Sequence, residues 1–124
     1  MIKNGKTVST RRFDEGSIVK LEMGSERVAI LQNDLSVGVN YKLSIFDTNG
    51  ELKKTHNFDA SIRDIEVFDD SVFVLTHTEL FVFTEGKELK KISLDGDYKD
   101  VGVFAKDCVI LCSESQAQIR LLEQ

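Results

Sequence analysis

The sequence predicts an all-β fold assembled from one strand-rich unit written three times. Three observations carry that prediction. First, the chain of 124 residues nearly repeats its own phrases: "LSIFDTNGELKKTHNF" (Leu43–Phe58) returns as "LFVFTEGKELKKISL" (Leu80–Leu94). Second, "RDIEVF" (Arg63–Phe68) and "KDVGVF" (Lys99–Phe104) place apolar residues at every second position, the period of a half-buried strand. Third, helical spacing is nowhere sustained.

The repeat is consistent along the chain. A slide of 37 lays Lys42–Lys54 on Glu79–Lys91, and a slide of 44 lays Ile18–Leu31 on Ile62–Leu75. A slide of 36 lays Ile62–Leu75 on Tyr98–Leu111, and one of 45 lays Asn4–Asp14 on Asn49–Asp59. One unit of roughly 36–45 residues satisfies all four overlaps. Each unit has an alternating strand A and a fully apolar strand B, the latter "VAIL" (Val28–Leu31), "VFVL" (Val72–Leu75) or "CVIL" (Cys108–Leu111). Strand C follows, then a turn at "TNG" or "TEGK", then a lysine-bearing strand D whose charge guards a sheet edge. The expected order is D (5–13), A (18–23), B (27–32), C (42–47), D (50–58), A (62–68), B (71–76), C (80–84), D (87–94), A (98–104), B (107–112) and C (118–122). The expected core is Leu21, Val28, Ile30, Leu43, Ile45, Ile65, Val67, Val72, Val74, Leu80, Val82, Val101, Val103, Val109, Leu111 and Ile119.

A four-stranded unit of this length, with "IFDTNGE" (Ile45–Glu51) joining strands C and D, resembles the β-propeller blades of the WD40-like and NHL- or quinoprotein-like kinds. The Gly-His and Trp-Asp signatures of strict WD40 repeats are missing, and the chain has no tryptophan. A twisted β-sandwich is the competing architecture. The resemblance implies a single β-propeller-like repeat domain over residues 1–124, with units of about 5–47, 50–84 and 87–122. It thus predicts three four-stranded blades, an incomplete propeller of twelve antiparallel strands. Closed propellers have four to eight blades. Either the chain is cut from a longer one, or a second copy or another propeller-forming chain supplies the missing blades. In that case Thr7–Phe13 and Gln118–Leu122 lie at or beside the contact.

Chemical motifs are few. The formal net charge of -5 argues against bulk binding of nucleic acid or of an anionic membrane. No apolar run approaches a membrane span, and the chain is expected to be cytoplasmic or nuclear. Cys108 and Cys112 would sit about 13 Å apart along a strand, too far for a disulfide. They also lack zinc-site spacing. Cys108 falls at the repeat position of Val28 and Val72, which makes it a small core residue. "DGDYKD" (Asp95–Asp100) fails as a calcium loop, since Asp100 stands where glycine belongs and Lys106 where the bidentate glutamate belongs. His56 and His77 have no evident nucleophile partner, and no phosphate-cradling glycine motif occurs. Neither catalytic residues, metal ligands nor a cofactor site is expected, and the chain reads as a non-enzyme. The favoured function is a protein–protein interaction scaffold. The alternative is a module binding a small ligand, a cation or a carbohydrate.

The candidate partner site lies on one face. In propellers the D–A and B–C connections emerge together, and the resemblance carries this over. The D–A connections here are "DEGS" (Asp14–Ser17), "DAS" (Asp59–Ser61) and "DGD" (Asp95–Asp97), each opening on an acid. On the same face the first B–C connection, "NDLSVGVNYK" (Asn33–Lys42), far exceeds its counterpart "HTE" (His77–Glu79). Insertions in repeat proteins often sit on the binding face. The candidate partner contacts are therefore Leu35, Val37, Val39 and Tyr41, with Asp14, Asp59, Asp95 and Asp97 beside them. The plainer reading makes the insertion a longer hairpin that extends the strands.

Overall fold

The computed structural model describes residues 2–3, 6–7, 12–13, 18–33, 40–105 and 107–122. All regular structure among them is β. A short hairpin pairs β1 (Ile2–Lys3) with β2 (Lys6–Thr7). The first sheet runs β3 (Ile18–Met23), β4 (Arg27–Asn33), β5 (Tyr41–Asp47) and β6 (Leu52–Phe58). The second runs β7 (Ile62–Phe68), β8 (Ser71–Thr76), β9 (Glu79–Thr84) and β10 (Lys90–Ser93). The third holds β11 (Asp100–Ala105), β12 (Cys108–Cys112) and β13 (Ala117–Leu121). Every pairing is antiparallel, and each sheet is a simple meander.

The propeller-type blade arrangement holds, with sheets of four, four and three strands. The third sheet therefore has one strand fewer than expected. The reason lies in the turns. Asp47 accepts the amides of Asn49 and Glu51 on its carboxylate, at 2.9 and 3.0 Å, and Gly50 takes φ 87°. The matching turn closes with Lys87 donating to the Thr84 carbonyl and Gly86 at φ 74°. Glycine enters this left-handed region without the Cβ penalty, so the chain reverses tightly. Each D strand is thereby fixed beside the C strand that precedes it. A sheet reads A-B-C-D while the sequence unit reads D-A-B-C, which leaves the last C strand, β13, without a D strand. Of the D strand expected at 5–13, only Lys6–Thr7 is strand among the described residues, and it pairs with β1. The D strand expected at 87–94 shortens to Lys90–Ser93 because the glycine turn occupies its start.

The three sheets stack face to face, with the second in the middle. Ala29, Leu31, Leu43, Ile45 and Phe58 of the first sheet pack on Ile65, Val72, Val74, Phe81 and Phe83 of the second. The other side of the second sheet packs Phe73, Leu75, Leu80 and Val82 on Val101, Val109, Leu111, Tyr98 and Leu122. Hence every residue of β8 is buried. The sheets approach closely: a Cβ on Gly24 would stand 2.9 Å from Val67 Cγ1.

Two expected core residues are exposed, Leu21 at 54% and Ile119 at 67%. Both lie on the outer face of an end sheet, where no further sheet covers them. Ile30, Val67 and Val103 are half-buried. Cys108 is buried, but the repeat position of Val72 belongs to Val109. Val67 opposes Val72 and Val103 opposes Val109, because the irregularity between Val103 and Ala105 makes that turn one residue longer.

Val74 sits at 0% exposure between two sheets, so Val74→Asp buries an unpaired carboxylate at a cost of several kcal/mol, a large share of ordinary domain stability. The expected outcome is an unfolded chain, with the β signal lost in far-ultraviolet circular dichroism.

Candidate functional site: the sheet junctions and the loop face

Each sheet has a forward face toward the next sheet in the chain and a rear face toward the preceding one. Lys20, Asp64 and Asp100 occupy the same place in β3, β7 and β11, and the register puts all three on forward faces. Lys20 opposes Leu31, which packs toward the second sheet, and Asp64 opposes Leu75, which packs toward the third. Asp100 opposes Cys112, one residue out of phase with the inward Val101–Leu111 pair, and so points away from the second sheet.

Asp64 ties the stack together. Its Oδ1 accepts the Lys20 Nζ at 2.9 Å and the Ile65 amide at 2.9 Å, and its Oδ2 accepts the Val101 amide at 2.9 Å. One buried carboxylate thus joins all three sheets at β7, which lies against both β3 and β11. The hydrogen bond to Asp64 holds Lys20 above the usual lysine pKa, against the opposing effect of burial. Glu66, half-buried on the same strand, is pushed up by burial first and then by Glu22 and Asp64. Further out, Arg27 of β4 pairs with Glu85 of the second sheet, and Ser25 donates to Asp69. Arg63 reaches the Asp97 carboxylate at 2.5 Å and the Tyr98 carbonyl at 3.2 Å.

Among the described residues, the outward faces of the two end sheets have no such mates. Leu21 and Met23 are exposed on the rear face of the first sheet, and Ile119 on the forward face of the third. Their repeat counterparts in the second sheet, Ile65, Val67 and Val82, all pack into a junction. Leu121 and Phe104 are exposed on the third sheet as well.

The loop-face residues are spread over separate surroundings. Asp95 accepts the Tyr98 hydroxyl at 3.1 Å and Arg120 at 3.4 Å, while Asp97 pairs with Arg63. Asp59 is exposed and carries no ion pair among the described residues. Tyr41 is half-buried at the start of β5, opposes Asn33 and Phe58, and packs against the first core cluster. Asp14, Leu35, Val37 and Val39 lie outside the described residues. Sequence reading missed the Lys20–Asp64–Asp100 series, although the slides of 44 and 36 align all three.

At the outer end of the first junction, His56 stacks among Phe58, Phe81 and Phe83 at centroid distances of 4.7, 6.0 and 5.2 Å. Burial, and then the ammonium groups of Lys54 and Lys91, hold His56 below the usual histidine value. A cleft of about 400 Å³ opens nearby, floored by Ile45, Phe83 and Leu89 and rimmed by charges of both signs, among them Lys54 and Glu85. No group of three or more potential metal-ligating side chains assembles among the described residues.

Three meanders stacked face to face around adjoining first strands define a propeller-type blade fold. No family model matches the chain, and no curated protein matches it in sequence. Among solved structures it is similar to the crystal structure of HIRA(644-1017), with a TM-score of 0.61 at 14% identity over 82% of this chain. The chain spans 33% of that structure's length, and the likeness concerns the fold.

Removing the Asp64 carboxylate strands two buried amide donors and a lysine. Asp64→Ala is therefore expected to cost about 2–4 kcal/mol in chemical denaturation, and Lys20→Met, which loses part-exposed ion pairs to Asp64 and Glu22, about 1 kcal/mol or less. Equal effects from both would contradict the bridging role. His56 makes stability depend on pH. Its folded pKa lies below the unfolded value, so its contribution is present above the ordinary 6.5 and is lost as pH falls through the folded value. The drop in Tm between about pH 7.5 and about pH 5.5 should be smaller in His56→Gln than in the parent.

Proposed function

We propose that this chain is a protein–protein interaction scaffold of propeller-type blades whose two uncovered end faces are closed by another blade-bearing chain. The observation that carries the reading is the pair of unmated faces. Leu21 and Met23 at one end, and Ile119 and Leu121 at the other, stand in the open where the inner sheet buries its counterparts. Exposed apolar patches of this kind mark interaction sites, and closure through them gives an apolar, obligate type of junction. The general use of propellers as interaction platforms supports the reading by analogy of fold.

A second partner surface is assigned to the loop face, through Leu35, Val37, Val39 and Tyr41 with Asp14, Asp59, Asp95 and Asp97 nearby. Among the described acids, Asp95 and Asp97 are ion-paired and Asp59 is exposed, which suits Asp59 to steer a basic, partly apolar segment.

The test is dye binding against assembly. The folded chain, diluted until it is monomeric, should bind an apolar-surface dye such as anilinonaphthalenesulfonate. The signal should fall when the end faces are covered at higher concentration or by an added blade-bearing chain. A folded monomer that binds no dye at any concentration defeats the reading. On the loop face, the reading predicts that Leu35→Ala weakens binding of an isolated partner with little change in Tm.

A further inference from the structure

The forward face of the third sheet and the rear face of the first are the two halves of one unmade junction. We infer that they mate head to tail between two copies of this chain, with Asp100 of one copy bound to Lys20 of the other. The inference rests on the scaffold reading and specifies its partner.

The two junctions inside the chain show how a forward face meets a rear face. In the first, Lys20 reaches across to the residue at its own repeat position, Asp64, at 2.9 Å. In the second, Asp64 meets a like charge at that position, Asp100, and takes the neighbouring Val101 amide instead. Asp100 is next in the series. It is exposed on a forward face, and among the described residues its carboxylate has no hydrogen-bond or ion-pair partner. A rear face that begins again with the first sheet of a second copy places Lys20 opposite Asp100, with Leu21 in the position of Val101. Opposite charges then meet, as they do between Lys20 and Asp64. The Lys20 side chain is 40% exposed, so its ammonium, already 2.9 Å from Asp64 and 3.5 Å from Glu22, stays open to a further carboxylate.

The apolar residues agree. Ile119 occupies the place of Val82, and Leu21 and Met23 the places of Ile65 and Val67, and the three counterparts pack into the junctions already formed. Pairing two forward faces would instead set Asp100 against Asp100. In the head-to-tail arrangement both junctions are identical and are related by a two-fold axis. The stack closes on itself with twice three sheets, within the range of closed propellers.

Sedimentation equilibrium of the full chain tests this. The parent should sediment at twice 14.0 kDa at micromolar concentration. Met23→Asp, which blocks the rear face, and Ile119→Asp, which blocks the forward face, should each be folded monomers, since both positions are exposed within one chain. Their equimolar mixture should regain a dimer, because the forward face of the first variant and the rear face of the second remain intact. Should Met23→Asp not fold, Leu21→Lys carries the same test. Asp100→Lys should raise the dimer Kd by about tenfold or more. A folded parent monomer that still binds dye overturns the second copy as occupant while the scaffold reading stands. Either blocked variant remaining dimeric by itself shows same-face pairing and overturns the head-to-tail junction, as does an unchanged Kd in Asp100→Lys.

Discussion

The structure depends on a single buried carboxylate. Burying a charge is costly unless its lone pairs are filled, and Asp64 fills them with a lysine from one neighbouring sheet, an amide from the other and an amide of its own strand. The arrangement fixes depth as well as attachment. Apolar faces alone would let sheets slide past one another, whereas hydrogen bonds near 2.9 Å to two neighbours hold the three first strands in one alignment. Gly24 complements this, since a side chain there would push Val67 away and open the first junction.

Everything outward from that point follows from sheets being two-sided. Only the middle sheet finds a neighbour on each side, and its strand β8 is accordingly buried throughout. The end sheets are built from the same kinds of residue, but each meets a neighbour on one side alone. Their outer faces therefore keep the composition of a buried surface in an exposed place. Polar contacts grade in the same direction. The amide bonds of Asp64 are buried and its lysine pair part-buried, whereas the pairings of Arg63, Lys99 and Arg120 lie at the rim, where water and salt weaken them.

The strands were legible from local evidence: β-branched alternation or apolar runs in most of them, and the Asn49-Gly50 and Glu85-Gly86 turns after β5 and β9. Alternation shows that a strand has two faces but not whether a second sheet lies against each, so Leu21 and Ile119 read as core and are exposed. Turn length was equally invisible. One extra residue between Val103 and Cys108 shifts the last strands of the third unit by one position, so the repeat place of Val72 falls to Val109 while Cys108 stays buried beside it. Among the candidate site residues, the ion pairs of Asp95 and Asp97 could not be read from sequence because their partners Arg120 and Arg63 lie far away along the chain. Tyr41 begins β5, half-buried against the first core cluster.

The meander of each sheet has a kinetic meaning. All strand pairings within a sheet join strands consecutive in the chain, so contact order inside a sheet is low. During synthesis a sheet can pair up as soon as its own few dozen residues leave the ribosome, before its neighbour exists. Docking the finished sheets is then a separate event that relies on nearest neighbours alone, as in other repeat arrays. In such a linear chain of cooperative units the ends open first and the middle last. The amides of β8, two sheets deep from either side, are the natural last refuge of the folded state.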